Sequence, residues 1–394
     1  MKILHITPTY YPATYWGGPI FSVYHLNNAL ATIPGVELKV LTTDSAGPKV
    51  TDRLIDEEKQ MTFPYQVIFT RRISGASVSI GLLTRMSSLI RWADVVHLTA
   101  IFSFPTLPTL ALCALYRKPV VWSLRGALLD DQSRQNYNPQ GSLKRLLKWV
   151  WKGICHRLIS PQRVALHVTT EQERDSAVKE TPNARFAIIP NGVDVPESLP
   201  KKNTRLPDGI LRLMFMGRLA PKKGIENLLK AMAQLDMPVN LNIYGTATVG
   251  QGGKDYGTKL VNLAKELGVL NKKAWFCGQV NGDAKIRAFM EADVCVIPSY
   301  SENFCIVVAE ALAHGLPVIV SDRLAWVEVT KRGCGLVVGN DAASLAMAIK
   351  KIGKMELEKM GRAGWQWMKE DFVWQKIGWD MHAVYEKMLR EGKS

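Results

Sequence analysis

Glu302 and Glu310 are separated by seven residues in the run Pro298-Ser299-Tyr300-Ser301-Glu302-Asn303-Phe304-Cys305-Ile306-Val307-Val308-Ala309-Glu310-Ala311-Leu312, which directly follows the apolar stretch Val294 to Ile297. With a helix over Phe304 to His314, this spacing gives about 12 Å of rise and turns the second carboxylate roughly 80° from the first. Both can then address one extended ligand. A carboxylate accepts two hydrogen bonds at once, which suits neighbouring hydroxyls, and a nucleotide sugar carries such a pair on its ribose and another on its hexose. A glycoside hydrolase also uses two carboxylates, so the pair alone leaves both chemistries open.

A second constellation narrows the choice. In Met216-Gly217-Arg218-Leu219-Ala220-Pro221-Lys222-Lys223-Gly224-Ile225-Glu226 a strand end, two glycines, a helix start and the cations Arg218 and Lys223 come together. Glycine lets backbone approach a ligand, a helix N-terminus favours an anion, and two cations fit a diphosphate. The spacing is not that of a P-loop. A hydrolase has no use for such an anion site.

These residues need strand ends and loops to hold them. Ile3 to Ile6, Leu38 to Thr42, Val67 to Thr70, Val95 to Leu98, Val120 to Leu124 and Leu166 to Val168 read as strands in the first half; Leu211 to Met216, Val239 to Tyr244, Ala274 to Cys277, Val294 to Ile297, Val318 to Val320 and Gly335 to Val338 repeat the theme in the second. Strands alternating with helical patterns give parallel sheets covered on both faces, with ligands gathered at the carboxyl ends of the strands. A chain of 394 residues is long enough for two such domains. The junction falls around Ile189 to Asp194 and on to Gly209, where apolar periodicity lapses. A tail from Trp365 to Leu389 is helical in pattern and carries Trp365, Trp367, Trp374 and Trp379, so it needs a surface to pack on.

The formal charge is +15, and residues 61–160 hold thirteen Lys or Arg against three Asp. Within them Ser142 to Ile159 reads as an amphipathic helix with Lys144, Lys148, Lys152 and His156 as one stripe and Leu143, Leu146, Leu147, Val150, Trp151, Ile154 and Leu158 as its apolar face. Such a helix packs on its own core or also meets anionic lipid headgroups. No nucleic-acid motif accompanies the charge, so no nucleic-acid partner is expected. Six cysteines form no C-x-x-C pair, and the histidines and Asp130-Asp131 show no metal-ligand spacing. Neither a signal peptide nor a membrane span is expected, because the first apolar run is very short and Val95 to Tyr116 is broken by Pro105 and Pro108. Gly250-Gln251-Gly252-Gly253 falls short of a dinucleotide fingerprint.

Ser301-Glu302-Asn303-Phe304 through Glu310-Ala311-Leu312-Ala313-His314-Gly315-Leu316-Pro317-Val318-Ile319, together with Gly217-Arg218, Lys223-Gly224, Ile189-Pro190-Asn191-Gly192-Val193-Asp194 and Gly17-Gly18, resemble the retaining nucleotide-sugar glycosyltransferases of family four. The resemblance spans almost the whole chain. It implies an α/β protein of the GT-B fold, two Rossmann-like doubly wound domains facing a central cleft. An acceptor-binding domain would cover 1–190, a nucleotide-sugar-binding domain 191–372, and a final helix over 373–394 would return to the first domain.

Residue by residue, the resemblance implies that Arg218 and Lys223 hold the diphosphate and stabilise the charge that grows as the sugar–phosphate bond breaks. That work is otherwise done by a divalent metal, so neither metal nor other cofactor is expected. Glu310 would accept the ribose hydroxyls, while Glu302 and the backbone amides of Asn303, Phe304, Cys305 and Ile306 would orient the transferred sugar. Gly17 and Gly18 would let main-chain amides approach the phosphate from the other domain. Two positions depart from the family pattern: Cys305 stands where many members have glycine, and Thr99 stands where many have the second histidine of an H-x-H. His97 is a catalytic candidate, although a lone histidine ending a strand is often structural. Arg125 is an acceptor-side candidate, as are Lys144, Lys148 and Lys152 for an acceptor or a membrane. The expected activity is transfer of a hexose, with retained configuration, to a glycan or to a polyprenyl- or phospho-lipid-linked acceptor in cell-surface polysaccharide or lipopolysaccharide biosynthesis. The expected location is the cytoplasm, peripheral to the anionic inner face of the cytoplasmic membrane. A sugar-nucleotide epimerase of the same architecture and a non-catalytic glycan-binding protein are the alternatives.

Overall fold

Short β-branched runs separated by helices cannot pair as hairpins, and parallel pairing through crossovers is the arrangement left to them. A computed structural model of the chain describes residues 1–129, 150–155, 157–199, 209–247 and 254–392. The described residues divide into two units: one holds those up to Gly192 together with Trp374 onward, the other those of Val193–Val373.

In the first unit β1 (Lys2–Ile6), β2 (Glu37–Thr43), β3 (Gln66–Thr70), β4 (Val95–Thr99), β5 (Val120–Ser123), β6 (Val164–Val168) and β7 (Arg185–Ile188) form one parallel sheet in the order β3-β2-β1-β4-β5-β6-β7. Strand β7 lies outside the sequence expectation: it begins with a charge, is half-buried along its length, and its short apolar run Phe186–Ile188 ends against the stretch from Ile189 read as the junction. Helices α1 (Gly18–Ala31), α2 (Ile80–Trp92), α3 (Thr106–Leu115) and α4 (Glu171–Glu180) connect the strands; one-turn helices are left unnumbered.

The second unit repeats the plan. Strands β8 (Leu211–Met216), β9 (Val239–Tyr244), β10 (Ala274–Gly278), β11 (Val294–Ile297), β12 (Val318–Ser321) and β13 (Gly335–Val338) are parallel in the order β10-β9-β8-β11-β12-β13. Helices α5 (Ile225–Ala233), α6 (Lys254–Glu266), α7 (Gly282–Glu291), α8 (Ile306–Ala313), α9 (Ala342–Ile352) and α10 (Leu357–Asp371) complete it. Both sheets place two strands on either side of a point where strand order reverses, β1/β4 and β8/β11, which is where open α/β sheets bind ligands.

The tryptophan-rich tail is two helices, not one. Helix α10 ends at Asp371, and α11 (Trp374–Glu391) begins after a two-residue break. Trp367 packs on Trp326 and Phe372 in the second unit. In the first unit Trp374 stacks on His25, and α11 crosses α1 so closely that a Cβ on Gly378 would lie 3.0 Å from that of Ala29. Trp379 is exposed.

The basic helix is described only in part. Residues 150–155 are helical, while Lys144, Lys148 and His156 lie outside the described residues. Cys155 is buried and Trp151 Nε1 donates to Ile101 O at 2.7 Å, but Val150 and Ile154, expected on the inward face, are each 42% exposed. Lys152 pairs with Glu180 at 2.9 Å. The helical period alone did not say which part of a broad apolar stripe meets the core.

On the sheet face of the first unit that packs against α1 and α11, strand alternation brings His5, His97, Ser123 and His167 into one layer with Ile3, Val95, Val121 and Ala165. Tyr385 Oη donates to His97 Nδ1 (2.5 Å), His97 Nε2 to Ser123 Oγ (2.6 Å), Ser123 Oγ to His167 Nδ1 (2.6 Å) and His167 Nε2 to Ile189 O (2.9 Å). This is the one assignment of protons in which neutral rings satisfy every member. His5 stacks on His97 at 4.3 Å between ring centres. Burial pushes all three imidazoles down, His5 to about 4 and His167 to about 3.

A histidine held neutral in the fold and free to protonate in the unfolded chain makes stability fall as pH drops below the unfolded value of 6.5 and go on falling until the folded value is reached. Between pH 7 and pH 5, above the carboxylate range, each such histidine removes about 2 kcal/mol. The urea midpoint of the first unit is therefore expected to drop steeply over that interval, and a flat profile would contradict the ladder. In the second unit α8 starts at Ile306, later than the spacing predicts, because Cys305 is left-handed at φ 58° and ψ 65°. A β-branched residue is far less at ease there than glycine. Cys305→Val should accordingly be less stable than Cys305→Gly by about 2 kcal/mol in denaturant titrations, and equal stabilities would count against this backbone geometry.

Candidate active site

The carboxyl ends of β8 and β11 lie side by side, and the loops leaving them are stitched together. Tyr300 N, after β11, donates to Lys222 O, after β8, at 2.8 Å, while Gly217 N donates to Tyr244 O at the end of β9 at 2.9 Å. The Asn227 amide donates to Tyr300 Oη (2.8 Å) and to Asn340 O (2.7 Å). Gly224 is left-handed at φ 65°, and a Cβ there would sit 2.2 Å from Pro298 O. Glycine is needed twice over at this position, for the dihedral and for the approach.

That approach sets Lys223 against Glu302, whose Oε1 accepts from Nζ in an ion pair with each side chain 12% exposed. Burial works against the Glu302 carboxylate, yet the Lys223 ammonium, with Lys222 beyond it, holds it below the usual carboxylate range. Burial works equally against Lys223, and Glu302 keeps it above the usual ammonium range. Both stay charged at neutral pH. Arg218 is exposed in the same loop.

Glu302 precedes the first turn of α8 by four residues, so the helical angle drawn between it and Glu310 does not apply. Loop geometry places Glu302, and α8 places Glu310. Lys285 on α7 donates to Glu310 Oε1 at 2.5 Å, while Glu310 Oε2 is buried without a partner, as is Asn303 Oδ1. The Phe304 side chain is core, packed on Trp326 and Phe372. What the segment Asn303 to Ile306 can present is its backbone amides at a helix start, which lack intrahelical acceptors. Burial, then the Glu302 charge, pushes the Cys305 thiol up to about 12, so it is neutral. Lys285, Asn227 and Asn340 have no sequence signal: each is an ordinary polar residue brought in by the fold. Among the described residues no cluster of three or more His, Cys, Asp or Glu could hold a metal ion, and no helix is long and apolar enough to cross a membrane.

In the first unit the candidates separate. His97 is fully buried with both ring nitrogens engaged in the ladder, so it faces no solvent-filled space. Thr99 and Arg125 instead line a pocket at the switch point of the first sheet. Gly17 is left-handed at φ 69° with open space around it and precedes α1, whose first residue is Gly18.

Comparison with known proteins agrees with this layout. The family model for Glycosyltransferase Family 4 matches residues 16–197, and that for Glycosyl transferases group 1 matches residues 199–367. The chain is 32% identical to the phosphatidyl-myo-inositol mannosyltransferase of Mycolicibacterium smegmatis over 91% of its own length and 87% of that protein's. It is 35% identical to an uncharacterized glycosyltransferase of Methanocaldococcus jannaschii over 41% of its length, an alignment that spans only 42% of that relative. Among solved structures it resembles the sucrose-phosphate synthase of Thermosynechococcus elongatus (TM-score 0.73, 21% identity, 99% of each chain) and Anabaena HepE in complex with UDP-glucose (TM-score 0.70, 18% identity, 98% of this chain and 100% of that one). Two Rossmann-like parallel-sheet units, consecutive family matches and a relative aligned along nearly the entire sequence make this chain a glycosyltransferase of family 4 with the GT-B fold.

Proposed function

We propose that the protein transfers a hexose from a nucleotide diphosphate sugar to a glycan or lipid-linked acceptor with retention of configuration, in the making of a cell-surface polysaccharide or lipopolysaccharide. The observation that carries this reading is the Lys223–Glu302 pair beside the exposed Arg218, at the point where the second sheet reverses strand order.

Lys223 and Arg218 hold the diphosphate. As the bond from the anomeric carbon to the phosphate oxygen breaks, their charges stabilise the anion that leaves, without a metal. Glu302, kept ionised, accepts hydroxyls of the transferred sugar, and the amides at the start of α8 donate to it. Glu310 offers the lone pairs of Oε2 to the ribose while Lys285 holds its other oxygen. A new bond forms between the anomeric carbon and the acceptor oxygen on the face the phosphate leaves, and the acceptor's proton passes to a phosphate oxygen. No side chain is then required as general base, in keeping with His97 being sealed in the core. The first unit takes the acceptor. The names of two similar proteins, a phosphatidyl-myo-inositol mannosyltransferase and a sucrose-phosphate synthase, support an acceptor that carries phosphate, and the +15 charge of the chain supports an anionic one at the inner face of the cytoplasmic membrane.

Slow hydrolysis of UDP-, GDP- and ADP-sugars by the purified protein needs no acceptor and tests the donor site directly. One nucleotide class should be turned over. Glu302→Gln and Glu310→Gln keep side-chain size while removing a charged acceptor, and each should cut that turnover about 10- to 100-fold with the fold intact. Unchanged turnover in both variants would overturn the assignment. Conversion of donor into a new donor without loss of sugar would favour the epimerase instead.

A further inference from the structure

The pocket in the first unit has a volume of about 330 Å³ and lies at the carboxyl ends of β1 and β4, with Thr7, Trp16, Arg72, Thr99, Ser103 and Arg125 on its walls. Its two arginines are unusual in what they lack. Arg72 is 3% exposed; its Nη1 donates to Ser45 Oγ (2.6 Å) and Gly47 O (2.8 Å) and its Nη2 to Asp52 O (3.4 Å), while Nε has no partner. Arg125, left-handed at φ 53°, gives Nη1 to Asn191 Oδ1 at 2.7 Å, and both Nε and Nη2 are buried without partners. Every acceptor these guanidiniums have is an uncharged oxygen. Burial draws Arg125 down only to about 10, so it remains a cation. Glu173, the carboxylate that acts on Arg125, is tied elsewhere, to the amides of Gly126 and Thr169 and to Thr169 Oγ1.

Buried N–H without an acceptor is costly unless a ligand supplies what is missing. Ser103 Oγ is a fourth unpartnered polar atom in the same pocket lining. Donors from two guanidiniums and a hydroxyl match the several oxygens of a phosphate. Thr99 Oγ1 donates to His5 Nε2 at 2.8 Å, because His5 Nδ1 donates to Asn27 Oδ1. Its lone pairs are left for a hydroxyl donor. Trp16, 41% exposed, also lines the pocket.

We propose that this pocket is an oxyanion subsite in which Arg72, Arg125 and Ser103 bind a phosphate group of the acceptor, with Thr99 accepting from one of its hydroxyls. The proposal rests on the reading of the first unit as the acceptor side. It selects a phosphorylated polyol over a neutral glycan, whether the phosphate belongs to a free sugar phosphate or to a lipid headgroup.

Titration calorimetry of the full chain with glucose 6-phosphate and with glucose tests the subsite, and flotation with phosphatidylglycerol or phosphatidylcholine vesicles tests the lipid source. Glucose 6-phosphate should bind at least about 100-fold more tightly than glucose, or phosphatidylglycerol vesicles alone should capture the protein. Arg125→Gln should weaken whichever interaction is found about 10- to 100-fold. Ser103→Asp keeps both arginines and their structural hydrogen bonds and sets a carboxylate against them, so it should abolish binding. Capture on vesicles that both variants lose assigns the phosphate to a lipid, and binding in solution alone assigns it to a free sugar phosphate. Failure of both arms, or binding that survives both substitutions in folded protein, overturns the subsite. Binding of UDP, GDP or ADP to the same wild-type protein reports on the donor reading separately: a nucleotide bound without either phosphate ligand sinks only the subsite, whereas a phosphate ligand bound without any nucleotide sinks the transferase reading.

Discussion

The second unit depends on one close approach, that of the Gly224 backbone to the carbonyl of Pro298. A Cβ there would lie 2.2 Å from the oxygen, so only glycine allows the loop after β8 to lie against the loop after β11. Without that contact Lys222 O could not accept from Tyr300 N, and Lys223 would have no reason to meet a glutamate 79 residues away in sequence. A parallel sheet makes the two strand ends neighbours; the glycine turns neighbours into a site.

The charges follow from that geometry. Two carboxylates are each held by a lysine from another element, Glu302 by Lys223 and Glu310 by Lys285. An ion pair that is mostly buried is costly to break by removing one partner and inexpensive to re-partner with another ion. A diphosphate arriving beside Arg218 does the second. The first unit is built to the opposite rule in its core, where three histidines are kept neutral by burial and two of them, His97 and His167, lie in a directional chain of hydrogen bonds ending on the Ile189 carbonyl. One layer of that unit is a fixed, uncharged scaffold. Its pocket, a few residues along the same strands, keeps guanidinium donors without acceptors.

Much of this was legible in the sequence, and the reason is periodicity. Runs such as Val294 to Ile297 and Leu211 to Met216 are apolar because parallel strands are covered on both faces, so their bounds could be read directly. Arg185–Ile188 could not, since this half-buried edge strand begins with a charge and leaves only three apolar residues before the junction. Lys223 and Glu302 stood out through their frames of glycine and turn residues, but their pairing is a fact of tertiary approach and no spacing encodes it. Helix α8 starts two residues later than its pattern suggests, because helical pattern says nothing of a left-handed residue at the cap. His97 and Arg72 show the same limit in another form: each looks like any histidine or arginine near a strand end, and only the hydrogen bonds around it separate a satisfied core group from one with donors unfilled.

The central claim is that the cations after β8 hold the phosphates of a nucleotide diphosphate. Calorimetric affinities of the wild-type protein for a nucleoside, its monophosphate and its diphosphate test this most directly, in whichever base series binds. The account predicts a steep gain on adding the second phosphate, about 10-fold or more, as expected when Lys223 and Arg218 each gain a charged partner. Equal affinity for the nucleoside and its diphosphate would contradict it.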